Sequence, residues 1–129
     1  MTSFFTSRLN RIETEKNVSE GAISNYGTFS TTTDYIITEA AGKNNNTIKG
    51  TPGAGTTWQA LLIGSAGEGN VEGKRIGIYN NSATNTLTLE DQATSTSTVD
   101  VGKFAKEYII PAKEIYRFVH DGTEWVREN

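Results

Sequence analysis

The sequence predicts an all-β domain, an antiparallel, jelly-roll-like β-sandwich of about eight strands with an N-terminal arm that contains a short helix. Three observations predict this class. Thr, Ser and Asn make up 39 of the 129 residues and Gly another 13, so strand and turn formers outnumber helix formers. Several short segments alternate apolar and polar residues with the period of a half-buried strand. Turn signals recur about every 8–12 residues, a spacing typical of sandwiches and small barrels.

The first half of the chain predicts two strands. A β-branched and aromatic run predicts a strand over residues 34–39, and an apolar run that includes Trp58 predicts another over residues 56–63. The segments around them are rich in Gly, Asn, Ser and Thr. They predict a linker, turns and a loop, over residues 21–34, 40–55 and 64–73 respectively.

The next two predicted strands form a hairpin. Ile76 and Ile78 alternate with other residues over 75–80, and Leu87 and Leu89 alternate with threonines over 85–90. Pairing the segments through the short connection places Ile78 opposite Leu87 and Ile76 opposite Leu89. The apolar faces then coincide, as a stable register requires.

The C-terminal residues predict a second hairpin. Residues 114–120 and 123–128 flank Asp121-Gly122, a signal for a type I′ turn, which places Phe118 opposite Trp125. One face carries Tyr116, Phe118 and Trp125 and the other Ile115, Val119 and Val126, so we expect both faces to be largely covered. Residues 99–101 and 108–110 predict two further strands, the second ended or confined to a sheet edge by Pro111.

The N-terminal residues follow a different pattern. Phe5, Leu9 and Ile12 recur at helical spacing and predict a short amphipathic helix, which is marginal alone and needs a surface to lie against. That surface is either the chain's own domain or another subunit, and a disordered tail is the third possibility. We therefore divide the chain into an arm and linker, residues 1–33, and a β-sandwich domain, residues 34–129.

Composition excludes several classes of function. The net charge of −3 argues against broad nucleic-acid binding. The chain has no Cys and a single His, so it has no disulfide, no thiolate metal site and no His-rich metal site. The first residues lack a secretory signal, and no apolar run approaches the roughly 20 residues of a membrane span. We expect a protein made in the cytosol that does not bind a membrane.

No motif indicates catalysis. His120 stands alone, the acids Glu90, Asp91, Asp100 and Asp121 are scattered, and a structural role is expected for each. The glycine-rich segment 64–69 lacks the Gly-Lys-Ser/Thr ending of a phosphate-binding loop. Trp58, Trp125 and the tyrosines could stack on a sugar, although such rings more often fill a core. We therefore predict no catalytic, cofactor-binding or metal site, and a protein that is not an enzyme.

Three segments together resemble structural domains of tailed-phage virions. They are Gly73-Lys-Arg-Ile-Gly-Ile-Tyr-Asn-Asn-Ser, Asn85-Thr-Leu-Thr-Leu-Glu, and Ile110-Pro-Ala-Lys-Glu-Ile-Tyr-Arg-Phe-Val-His-Asp-Gly-Thr-Glu-Trp. The pattern spans about residues 73–127 and resembles capsid decoration (cement) proteins and tail-fibre or tail-spike modules. It carries no shared active-site motif.

The resemblance implies a homotrimer attached to a capsid or tail through an N-terminal segment. We expect a decoration protein on the outer capsid surface that binds the major capsid protein through Phe4, Phe5, Leu9 and Ile12. A tail-fibre, baseplate or receptor-binding component is the alternative. A carbohydrate-binding module or small polysaccharide-active enzyme is a third possibility, of a different class.

Overall fold

The computed structural model describes residues 23–38 and 47–128, which form nine strands and one turn of 3-10 helix. The strands are β1 (Ile23–Phe29), β2 (Thr32–Ile37), β3 (Thr47–Pro52), β4 (Thr57–Ile63), β5 (Arg75–Asn80), β6 (Leu87–Leu89), β7 (Tyr108–Ile110), β8 (Ile115–His120) and β9 (Trp125–Arg127). The 3-10 turn covers Asp100–Gly102. The coarse prediction of an all-β fold is confirmed.

The strands form two sheets. Sheet A has the order β1-β3-β5-β8-β9, and sheet B has the order β2-β4-β6-β7. Successive strands from β1 to β6 alternate between the sheets, and each of the first four pairs in parallel with the strand two places further along the chain. The first six strands therefore wind as a flattened coil, and β7, β8 and β9 then pair antiparallel with their neighbours.

One apolar core lies between the sheets. Ile48, Ile76, Ile78 and Phe118 reach it from sheet A, and Leu61, Ile63, Leu87 and Leu89 reach it from sheet B. Trp125 of β9 connects the layers, because its indole Nε1 donates to the Leu61 carbonyl of β4 at 2.9 Å. The period-two alternation read from these segments therefore identified inward-facing side chains.

The predicted antiparallel pairing is wrong for the pairs formed among the first six strands, which are all parallel. The predicted hairpin between residues 75–80 and 85–90 is also wrong, because β5 lies in sheet A and β6 in sheet B. Ile76, Ile78, Leu87 and Leu89 are all buried, but they meet across the core and not as hydrogen-bonded neighbours. The connection leaves β5 at Asn80, whose side chain binds the carbonyls of Asn85 and Ile110.

Two strands form where the sequence predicted a linker and turns. β1 lies inside the predicted linker over 21–34, and β3 lies inside the predicted turns over 40–55. The Phe29 ring of β1 lies over Gly50 of β3, where an added Cβ would lie 2.5 Å from that ring. Residues 99–101 lead into the 3-10 turn and do not form the predicted strand.

The C-terminal hairpin is confirmed, with a different register. His120 pairs with Trp125 and Phe118 with Arg127, so the connection has four residues and not two. Asp121 causes the difference, because its carboxylate accepts the backbone N–H groups of Thr123 and Glu124. The predicted strand at 108–110 is β7, which ends before Pro111 at the edge of sheet B. The predicted short helix lies outside the described residues.

Candidate functional site

The residues predicted to bind a partner lie outside the described part of the chain. Phe4, Phe5, Leu9 and Ile12 all fall within residues 1–22, so the structure gives them no position. The candidate surfaces are therefore sought among residues 23–38 and 47–128.

His120 is a buried structural residue. Its Nε2 lies 2.7 Å from the Val101 carbonyl, and its Nδ1 accepts the Gly122 backbone N–H at 3.1 Å. The carbonyl can only accept, so Nε2 is the nitrogen that donates this hydrogen bond. The ring also packs edge-on against Trp125. Both ring nitrogens therefore hold loops in place, and neither is available for proton transfer.

The acids lie apart and serve turns. Backbone hydrogen bonds from Glu124 and Thr123 hold the pKa of Asp121 below its usual range. Asp100 pairs with Lys103 at 3.0 Å, and Asp91 accepts the Ala93 backbone N–H. Over residues 23–38 and 47–128, no group of three or more His, Asp or Glu side chains is placed to hold a metal ion.

The glycine-rich segment after β4 is packed against the protein. Asn70 accepts the Ile63 N–H and donates to the carbonyls of Leu61 and Val101, which fixes the loop to β4 and to the 3-10 turn. A Cβ at Gly67 would lie 3.0 Å from Val101. The glycines here permit close packing and positive φ angles.

Neither tryptophan is available to stack on a sugar. Trp58 and Trp125 are both fully buried. The Trp58 ring lies between Phe29, at 4.8 Å between ring centroids, and Tyr35, which stacks on it at 3.9 Å with the planes 13° apart. The predicted aromatic platform is therefore a piece of core in the described structure.

The side of the sandwich formed by β1 and β2 differs from the rest of the surface, and we call it the open side. Among the described strands, β1 pairs only with β3 and β2 only with β4, so each leaves one edge without a strand partner. Tyr26 and Tyr35 lie across this side, 6.1 Å apart between ring centroids. Burial, and secondarily the neighbouring Tyr26, raises the pKa of Tyr35 to about 12.

The open side also exposes large apolar side chains. Ile23 of β1 is 57% exposed and Ile36 of β2 is 50% exposed. β1 has no charged residue and β2 has only Asp34, whose carboxylate accepts the Ser97 hydroxyl at 2.6 Å. Natural edge strands usually carry lysine, proline or inward charges that discourage pairing. This surface was missed from the sequence, although the uncharged composition of residues 23–29 could have indicated it.

No family model, curated protein or solved structure matches this chain. Within the described ranges, no helix has the length and apolar content needed to cross a membrane.

Proposed function

We propose that this protein is a non-enzymatic structural component of a tailed-phage virion, a homotrimeric decoration protein on the outer capsid surface. Its partner is the major capsid protein, and the contact residues are Phe4, Phe5, Leu9 and Ile12. The observation that carries the proposal is the resemblance of residues 73–127 to virion β-domains. The N-terminal helix belongs to the same proposal, as the conformation of the arm when it is bound to the capsid. Jelly-roll connectivity does not, because β1 to β6 pair with one another in parallel.

The segments that carry the resemblance are neighbours in space. The first forms β5, the third forms the end of β7, the following turn and the β8–β9 hairpin, and the second contains β6, which pairs with β7. A pattern that extends over residues 73–127 therefore corresponds to one continuous half of the sandwich. This arrangement supports treating the resemblance as a property of a domain, beyond a set of separate hairpins.

The internal hydrogen bonding supports a scaffold role. Every buried side-chain nitrogen and oxygen atom in the described residues has a hydrogen-bond partner. Active sites commonly keep polar groups free for a ligand. The described sandwich is satisfied internally, which suits a protein whose work is to hold a surface in place.

A decoration protein acts through linked equilibria. If it binds the assembled lattice and not the dispersed subunits, its binding free energy shifts the equilibrium toward the intact shell. Binding across neighbouring subunits, multiplied over many sites, stabilises the particle without a chemical step. A trimer would strengthen each attachment through multivalency.

The proposal is tested with capsids of the phage that encodes the chain. Purified protein is sized by light scattering, then mixed with intact capsids and with dispersed capsid subunits, and the bound copies are counted by quantitative mass spectrometry. We expect a mass of three chains, saturable binding at hundreds of copies per capsid, and no binding to dispersed subunits. Absence of capsid binding would overturn the proposal.

Two variants locate the contact. Replacing Phe4, Phe5, Leu9 and Ile12 by Ser is expected to abolish capsid binding, whereas Ile109→Ser, which removes an exposed isoleucine on β7, is the matched control. Equal binding by both variants would contradict the assignment of these contacts. A count of only a few to tens of copies, located at the tail, would instead support the tail-fibre or baseplate alternative.

A further inference from the structure

The coil formed by β1 to β6 has a definite place for one more strand. Each strand of the coil lies in the opposite sheet from the one before it, and β1 lies in sheet A. A strand preceding β1 in the same winding would lie in sheet B, beside β2. That position is the free edge of β2, which the described residues leave unpaired.

The winding also gives the distance along the chain. In sheet B, Thr32 pairs with Trp58 and Trp58 pairs with Leu89, so paired residues are 26 positions (58 minus 32) or 31 positions (89 minus 58) apart in the chain. Subtracting these spacings from residues 32–37 of β2 gives residues 6–11 and residues 1–6. At the longer spacing Phe4 falls opposite Tyr35 and Phe5 opposite Ile36. The chain before β1 is therefore long enough to supply this one strand.

The connection that would remain also has a described counterpart. At the longer spacing the added strand covers residues 1–6, which leaves residues 7–22 to cross from sheet B to β1 in sheet A. The crossing from β4 in sheet B to β5 in sheet A uses the shorter segment of residues 64–74. The remaining chain is therefore long enough to make this connection.

We propose that, in the free protein, a segment within residues 1–11 adds to the edge of β2 as a parallel strand of its own molecule. The added backbone satisfies the free β2 edge. Because successive side chains of a strand point to opposite faces, Phe4 lies beside Tyr35 on the core side and Phe5 lies beside Ile36 on the outer side. The half-exposed Ile36 gains an apolar neighbour.

The size of the open side favours a segment of the same chain over a second copy. A seven-residue strand is about 24 Å long and sheets stack about 10 Å apart, so the open side offers roughly 240 Å² of flat area. A stable interface between proteins buries about 800 Å² on each partner. An intramolecular strand loses the conformational entropy of its own residues, but it avoids the loss of translational and rotational freedom that association with a second copy carries.

The proposal differs from the helix predicted from Phe5, Leu9 and Ile12. In a helix these three side chains lie on one face, so Ile12 matters as much as Phe5. In the added strand Ile12 lies beyond residues 1–11. The proposal concerns the isolated protein and does not rest on the proposed capsid function, so its test contains no capsid.

The first experiment measures hydrogen exchange at β2 in the full-length chain. In the Phe4→Ser, Phe5→Ser double variant, the alternate amides of residues 32–37 that point to the free edge are expected to exchange about tenfold faster than in the unmodified protein, because the strand that protects them is weakened. The Ile12→Ser variant is the matched control and leaves them unchanged, and the amides of β7 serve as an internal reference. No change in the double variant, or an equal change in both variants, would overturn the proposal.

The second experiment locates the segment by crosslinking. The chain has no cysteine, so single cysteines can be placed at Ser3, Phe5, Ser7 or Leu9 together with Ile36→Cys and joined by a short bismaleimide. Ile109→Cys replaces Ile36→Cys in the control, because Ile109 is similarly exposed, at 47%, on the opposite edge of sheet B. We expect a crosslink within one chain to position 36 at several-fold the control yield. A crosslink between chains, or a yield equal to the control, would overturn the proposal.

Discussion

The two sides of the sandwich end in different ways. On the open side, β1 and β2 leave backbone edges, two exposed isoleucines and a pair of tyrosines at the surface. On the opposite side, which we call the closed side, the segment around Phe104 pairs with Trp125 of β9 and with Asp91 after β6, so it joins the two sheets.

The closed side is completed by side chains as well as backbone. Phe104 is fully buried and packs edge-on against Phe118. The Arg127 guanidinium lies 3.6 Å from the centre of the Tyr116 ring. The backbone N–H of Arg127 donates to the Tyr108 hydroxyl. Within the described residues, the chain completes one side of its core and leaves β1 and β2 on the other side each with one edge that has no strand partner.

The largest expected effect is on the closed side. Phe104→Ala should lower the free energy of unfolding by about 3–5 kcal/mol, because it leaves a cavity where the sheets join. Tyr26→Ala on the open side should cost only about 1 kcal/mol, since this ring is only partly buried. Urea unfolding, monitored by tryptophan fluorescence, measures both losses of stability. Phe104→Leu replaces Phe104→Ala if the alanine variant does not fold. Equal losses at Phe104 and Tyr26 would contradict the difference between the sides.

A buried amide is expected to have the next largest effect. Asn80 donates to the carbonyls of Asn85 and Ile110 and accepts the Ser82 N–H, so it links the end of β5 to the end of β7. Asn80→Ala leaves these groups unpaired and should cost about 2–3 kcal/mol by the same measurement. The adjacent Asn81→Ala, which loses one exposed contact to Lys113, should cost less than about 0.5 kcal/mol. Equal losses of stability in Asn80→Ala and Asn81→Ala would contradict a specific role for the Asn80 side chain in linking β5 to β7.

Two glycines test whether the sides differ in rigidity. An added Cβ at Gly102 would overlap the Leu62 side chain, and one at Gly50, near the open side, would lie 2.5 Å from the Phe29 ring. Gly102→Ala should cost about 2 kcal/mol and Gly50→Ala about 1 kcal/mol, because the open side can yield to the extra methyl group. Gly53→Ala is the control, with no atom within 4 Å of the new Cβ. A larger loss at Gly50 than at Gly102 would reverse the ranking.

The smallest expected effect is a pH dependence confined to the open side. The pKa of Tyr35 is raised from 10.0 to about 12, so between these values the unfolded chain loses this proton while the folded chain keeps it. The free energy of unfolding should therefore fall more steeply from pH 10 to 12 in the unmodified protein than in Tyr35→Phe. Urea midpoints across this range measure the difference, and parallel curves for the two proteins would contradict it.

The sequence pattern predicted which side chains face the core, but it did not predict which strands pair with each other. The alternation at Ile76, Ile78, Leu87 and Leu89 identified buried positions, because period two reports which face of a strand is apolar. It does not report whether the facing residue is a hydrogen-bonded neighbour or lies across the core. The hairpin β8–β9 was predicted correctly in its two strands, although not in its register, because the local Asp-Gly signal indicates a turn between them.

The strands that were missed are those whose contacts are not local. β1 and β3 contain glycines and short polar residues, and they pair with each other across a long stretch of chain, beginning with Ile23 and Thr47. Only the packed structure shows that Phe29 occupies the space above Gly50. For the candidate site, the partner residues Phe4, Phe5, Leu9 and Ile12 remain a prediction, and the open side depends on a sheet order that no single segment encodes.

The winding of the first six strands also bears on how the chain folds as it is made. Among the described strand pairs, the most local contact joins His120 to Trp125, and the next most local joins Leu89 to Tyr108. Contacts between distant residues form slowly because the intervening loop must first be closed. The most local pairing therefore lies in β8 and β9, which are synthesised after all six strands of the parallel coil. We expect slow folding, with the uncharged β1 exposed to other nascent chains until β8 and β9 have been made.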